Sequence, residues 1–135
     1  MATRDQEWAK LAWAHVTAVN DPATKANKKR YGTVVHGLPS LIRNAGLSQA
    51  LHFVLSRNDA EATRVLDHLA AQLAATDATL GAAGPQGARD AMLKAVREAD
   101  VGRYLRLTQE SLACVTWYKR LVKGVLGVDA SEDEG

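Results

Sequence analysis

Apolar positions recur every three or four residues along the chain, and no segment alternates with the period of two that marks a half-buried strand. From Arg4 to Val19, the residues Trp8, Leu11, His15 or Val16, and Val19 fall at helical spacing and predict a first helix. Asp21-Pro22 offers an N-cap followed by a proline tolerated in a first turn, so a second helix is expected to reach His36. Alanine, leucine, arginine and glutamine dominate, and all are good helix formers.

The segment GLPSLIRNAG, residues 37 to 46, interrupts this pattern. Gly37 and Pro39 predict the end of the second helix and the start of a short one, with Gly46 in a left-handed position beyond its end. Ile42 and Leu47 would then touch as in a Schellman motif. A further helix, Leu47 to Leu55, buries Leu47, Leu51 and Val54 or Leu55, and Asn58 with Glu61 reads as a capping-box variant. The helix so capped places Ala62, Val65, Leu66, Leu69 and Leu73 on one face. LGAAGPQGA, residues 80 to 88, predicts a flexible loop. A shorter helix from Ala88 to Ala99 follows, and Asp100 caps a long final helix to Leu126. The expected fold is all-α: a compact single-domain bundle of five to six helices over residues 1–128, with an acidic, disordered tail at 129–135.

Charge gives the helix faces a second meaning. In the final helix, Tyr104, Leu107, Ser111, Val115, Tyr118, Val122 and Val125 share one side. Arg103, Arg106, Glu110, Ala113, Trp117 and Arg120 make a stripe opposite, where Trp117 could anchor a partner. In the second helix Tyr31, Val34 and Leu38 face inward, while Lys25, Lys28, Lys29, Gly32 and His36 face outward, with Arg30 on the flank. Such a basic row is either an ordinary solvated face or a track for phosphates. Arg43 stands alone between His36 and Arg57 and also suits a helix C-terminus electrostatically. The chain carries 17 Lys and Arg against 15 acids, but Asp129, Glu132, Asp133 and Glu134 crowd its end, leaving the remainder at +6. That balance is consistent with an anionic partner.

Chemistry-bearing motifs are scarce. One cysteine, Cys114, excludes an intrachain disulfide and a CxxC site, and it falls on the apolar side of the final helix. His15, His36, His52 and His68 lie on separate helices without metal-ligand spacing. No phosphate-binding loop, nucleophile elbow or dinucleotide fingerprint is present, so neither catalysis nor a cofactor is expected. No apolar run approaches the ~20 residues that span a bilayer, and a soluble cytoplasmic protein without membrane contact is expected.

Two segments carry more. LPSLIRNAGLSQALHF (38–53) and YLRLTQESLACVTWYKR (104–120) resemble, in order, the LPxLIRxxGLxQxLxF and YxxLTxExLxxxxWxKR signatures of one family. That family is the small subunit of the type III-B (Cmr-type) CRISPR RNA-targeting effector complex. The resemblance implies a non-catalytic subunit of an antiviral ribonucleoprotein, several copies of which stack in a filament beside the backbone subunits. It implies contacts with those subunits, with the large subunit, and with guide and target RNA, whose pairing supplies sequence reading. By position it carries RNA contact to Arg43 and Lys119, and it picks out Trp117 and Arg120 of WxKR, Thr108 and Glu110 of LTxE, and Gln49 as a structural hydrogen-bonding residue. The candidate RNA-binding set is Lys25, Lys28, Lys29, Arg30, Arg43, Lys119, Arg120 and Lys123; Trp117 and Arg106 are partner-binding candidates. Glu110, four residues after Arg106, is expected to pair with it locally. The added front helix and Ala45 depart from the family pattern. A helical adaptor that binds only proteins is the alternative.

Overall fold

Thr3 opens the fold with a reciprocal cap: its hydroxyl accepts from the Gln6 backbone N–H (3.1 Å), and Gln6 Oε1 accepts from the Thr3 N–H (2.8 Å). The computed structural model describes residues 3–130, and helix α1 covers Arg4–Asn20. Asp21 does cap a helical turn, but only the 3-10 turn Pro22–Thr24. The chain then passes through Lys25 at φ 54° and restarts at Asn27, whose side chain accepts from Arg30 N to cap α2, Lys28–Ala45.

Helix α2 does not break at Gly37 or Pro39, which corrects the expectation of a separate short helix. An interior proline removes one backbone hydrogen bond and costs about 3 kcal/mol. Leu38 and Ile42 on either side are almost fully buried, and each such side chain stabilises by about 1.5–3 kcal/mol. Packing therefore outweighs the local preference. The real corner is Gly46, which closes α2 and opens α3 (Leu47–Ser56) as a single residue. Its φ of 90° and ψ of 157° lie outside the left-handed helical region expected and are accessible essentially to glycine alone. Gly46 has no side chain to cap α3. Tyr104 supplies the missing acceptor, its hydroxyl taking the Ser48 backbone N–H at 3.0 Å.

Asp59, rather than Asn58, caps α4 (Ala60–Thr76); Asn58 instead turns the chain at φ 52°. The glycine-rich segment expected to be a loop is mostly helical. Asp77 accepts from Thr79 and Leu80 backbone N–H groups to start α5 (Ala78–Gly81), whose Leu80 is buried, and α6 begins at Gly84 with a proline in its first turn and runs to Glu98. Asp100 caps α7, Val101–Leu121, which relaxes into a π-helical turn, Val122–Leu126. The expected all-helical bundle with a long last helix is thus present, with seven α-helices among the described residues. Residues 131–135, with most of the expected tail, lie outside the described residues.

Helix α2 is central, contacting α3, α4 and α7, while α1 packs on α7 and α6 on α4. Leu47, Leu51, Leu66, Leu69, Leu73 and Met92 are among the fully buried side chains of one hydrophobic cluster. A polar layer crosses it. His15 and His68 stack, the Tyr118 hydroxyl meets His15 Nδ1 at 2.7 Å, the Tyr31 hydroxyl meets His68 Nδ1 at 2.7 Å, and Gln72 Nε2 donates to Tyr118 at 3.1 Å.

Candidate nucleic-acid interface

The basic elbow before α2 is held from below by α4. Glu61, itself buried, accepts from the Asn27 backbone N–H (3.0 Å) and from Arg64 Nε (2.9 Å). Arg30 reaches Asp59 at 3.1 Å, and that carboxyl sits below its ordinary value, chiefly through the Ala62 backbone N–H it accepts. Arg30 therefore pairs with α4 while its side chain stays 57% exposed. Lys25 and Lys29 point to solvent, and Lys28 touches only the Asn20 side-chain oxygen, at 3.2 Å. The other two residues of the expected outward row are not outward. Gly32 and His36 are buried because residues 122–128 fold over them: a Cβ on Gly32 would lie 2.6 Å from Val128 Cγ1, and His36 Nε2 bonds the Val128 carbonyl at 2.8 Å.

The α7 stripe is met by α1 and the α4–α5 corner, while Arg106 and Arg120 stay exposed. Glu110 is buried and pairs with Arg4 of α1 (3.2 Å), not with Arg106. Arg103 and Arg106 converge on Asp77 at 3.3 and 3.8 Å. Burial alone would raise the Asp77 carboxyl, but the Leu80 backbone N–H and the Arg103 guanidinium hold it below its ordinary value. Trp117 is half-buried, donates its indole N–H to Asp5 at 2.9 Å, and carries the Arg120 guanidinium over its ring at 5.6 Å. The partner candidates Trp117 and Arg106 thus make intramolecular contacts that local spacing could not reveal.

Helix α7 runs antiparallel to α2: Tyr104 meets Ser48 just past the end of α2, whereas Val122 approaches Gly32 in its first half. Lys25, Lys28, Lys29 and Lys123 gather at one end of this helix pair; Lys123 lies 3.9 Å from Asp129. Arg43 is exposed at the other end, about 22 Å from Lys28 at 1.5 Å per residue. Lys119 is half-buried and Arg120 exposed on α7 between these ends. The candidates are therefore spread along the helix pair rather than gathered in one patch. Arg57 is a further exposed cation outside the expected set; its guanidinium lies over the exposed Phe53 ring at 5.9 Å, at a spacing of four along the sequence. Gln49 is exposed and holds no side-chain hydrogen bond among the described residues, while Thr108 bonds the Tyr104 carbonyl within its own helix at 2.8 Å.

Two grooves flank α1. One, of about 750 Å³, is mainly apolar and bordered by Trp8, Leu11 and Ala75; the other, of about 510 Å³, is lined by Arg4, Asp77, Arg103, Arg106 and Glu110, whose charges pair with one another. Burial, then the Glu110 carboxylate, pushes the Cys114 thiol up to about 12. Among the described residues no group of three or more His, Cys, Asp or Glu could hold a metal ion, and no helix is long and apolar enough to cross a membrane.

Comparison with known proteins extends over most of the chain. The family described as "CRISPR-associated protein (Cas_Cmr5)" matches residues 4–125. A relative from Thermus thermophilus, the CRISPR system Cmr subunit Cmr5, is 38% identical over 126 residues, covering 93% of this chain and 98% of its own. The crystal structure of a CRISPR-associated Cmr5 family protein, also from Thermus thermophilus, superposes with a TM-score of 0.74 at 35% identity, covering 93% of this chain and 99% of that one. With the all-helical fold and both signatures in place, this chain belongs to the CRISPR-associated Cmr5 family.

Proposed function

We propose that the chain is a non-catalytic small subunit of a type III-B CRISPR ribonucleoprotein, stacking in a filament and helping to hold the guide–target RNA duplex in antiviral defence. The observation that carries the RNA contact is the distribution of charge. Of 17 Lys and Arg, seven lie within 4 Å of a carboxylate among the described residues: Arg4, Arg30, Arg64, Arg89, Arg103, Arg106 and Lys123. Lys25, Lys28, Lys29, Arg43, Lys119 and Arg120 are not among them, so the motif-matched and elbow cations keep their charge available for phosphates.

The filament contact draws on a different feature. Trp13, Val101 and Leu105 are 55%, 77% and 56% exposed, which suits side chains that are covered on assembly with further copies, backbone subunits or the large subunit. This shifts the partner anchor from Trp117, which is engaged internally, to Trp13. Co-expression with the remaining Cmr subunits tests the reading: the chain is expected to co-purify in several copies with bound small RNA. Its recovery as a free chain, with the complex complete and holding RNA without it, would contradict the proposal.

A further inference from the structure

Gly37 is a glycine that the packing of α2 does not call for. It sits in the helix interior, where glycine weakens a helix relative to alanine, and a Cβ built there would meet nothing within 4 Å. The open space beside it is a groove of about 180 Å³ between α2 and α3. Val34, Leu38 and Leu41 line it from α2, and Phe53 and Arg57 line it from α3 and its C-cap. The Phe53 ring is exposed, with the Arg57 guanidinium 5.9 Å from its centroid. Arg57 meets no carboxylate within 4 Å among the described residues.

An exposed aromatic under an unpaired cation, opposite apolar side chains, suits a flat ligand with apolar faces and an attached negative charge. Size narrows the choice: the groove is smaller than the ~300–1,000 Å³ that drug-sized ligands need. A flat ring held between Phe53 and Arg57 needs about 7–8 Å, two contacts of ~3.5–4.0 Å. The exposed Arg57 side chain therefore has to open by only about 1–2 Å. Further cations border the same groove. Lys29 and Arg30 precede Thr33, on its rim, by about one helical turn, and Arg30 is held to Asp59, two residues beyond Arg57. We propose that this groove is a stacking site for one unpaired RNA base, which lies between the Phe53 ring and the Arg57 guanidinium while Lys29 and Arg30 meet the adjoining phosphates. The proposal rests on the RNA-binding reading of the basic residues and adds a contact of another kind. Stacking releases no counterions, so it persists in salt that weakens phosphate contacts. A base inside a duplex has both faces covered, so the site selects unpaired positions.

The test compares binding of a labelled single-stranded RNA of about 12 nucleotides with that of an abasic RNA of equal length. The parent chain is expected to prefer the base-bearing RNA by about tenfold. Phe53→Leu removes the stacking face, and Gly37→Leu fills the groove with a residue that favours the helix. Both variants should lose the preference, bind abasic RNA as the parent does, and unfold at no lower denaturant concentration. A preference kept by either variant overturns the site; if that variant also drops out of the complex on co-expression, the groove is a protein contact instead. Equal binding of both RNAs by the parent overturns the stacking and leaves the phosphate reading standing. No binding of either RNA by the parent overturns both.

Discussion

His15 of α1 and His68 of α4 stack with ring centroids 4.1 Å apart and planes within 8°. Burial holds His15 down to about 4; burial, then the neighbouring His15 and Arg64 charges, holds His68 down to about 3. Both rings are neutral in the folded chain at pH 7, and a phenol hydroxyl can then donate to each Nδ1. The unfolded chain takes up protons near the ordinary value of 6.5, before the folded one does. Stability is therefore flat above about pH 7 and falls as pH drops from about 6.5 toward 4, by up to about 1.4 kcal/mol per pH unit for each histidine. Chemical denaturation at pH 7.5 and pH 5 measures it. A His15→Asn, His68→Asn variant should lose the slope; equal stability of the parent chain at both pH values would contradict the account.

Tyr104→Phe removes the acceptor that stands in for an N-cap on α3 while keeping the ring. The Ser48 N–H loses its partner, so unfolding should become easier by about 0.5–2 kcal/mol, the usual range for a lost cap. Urea titration with an unchanged slope and a lowered midpoint is the expected record.

Gly32→Ala would raise helix propensity by about 1 kcal/mol on an exposed face. Here the new methyl meets Val128 and Val122 side chains at 2.6 and 2.9 Å, so the substitution should destabilise and lift residues 122–128. Faster amide exchange in that segment, with α4 and α6 unchanged, checks it. A stabilised chain would show that the C-terminal cover is not closely seated.

The tryptophans should separate folding from assembly. Trp117→Ala removes the Asp5 hydrogen bond and the platform under Arg120, and should lower the midpoint of unfolding as α1 loosens. Trp13→Ala exchanges an exposed ring for a methyl and should leave that midpoint within about 0.5 kcal/mol while reducing incorporation into the complex. Incorporation measured by co-purification distinguishes them.

Much of the bundle was readable because helix period and caps are local properties. Asp100 caps α7 through Arg103 N, and Tyr31, Val34 and Leu38 face inward, as spacing requires. The failures are tertiary. Pro39 stays inside α2 because Leu38 and Ile42 are buried beside it, and residues 80–88 are mostly helical because Asp77 caps α5 and Leu80 finds the core. His15 and His68 are 53 residues apart, so no spacing rule could announce their stack. At the candidate interface, sequence identified the cations but could not tell Arg30 and Arg106, which pair with Asp59 and Asp77, from Lys29 and Arg43, which do not. The two signatures pointed to the family because they record tertiary fit that periodicity omits: Gly46 makes the corner that Tyr104, in the other signature, caps.

The contact proposed for this chain is that of the elbow lysines and Arg43 with RNA phosphates. Its most direct test is the salt dependence of RNA binding for the parent chain and for a Lys28→Gln, Lys29→Gln, Arg43→Gln variant. Each lost phosphate contact should flatten the log–log slope by about 0.7–0.9, so the variant is expected to lose roughly two units or more, with affinity reduced alike across RNA sequences. An unchanged slope would remove these residues from the RNA surface and contradict the account.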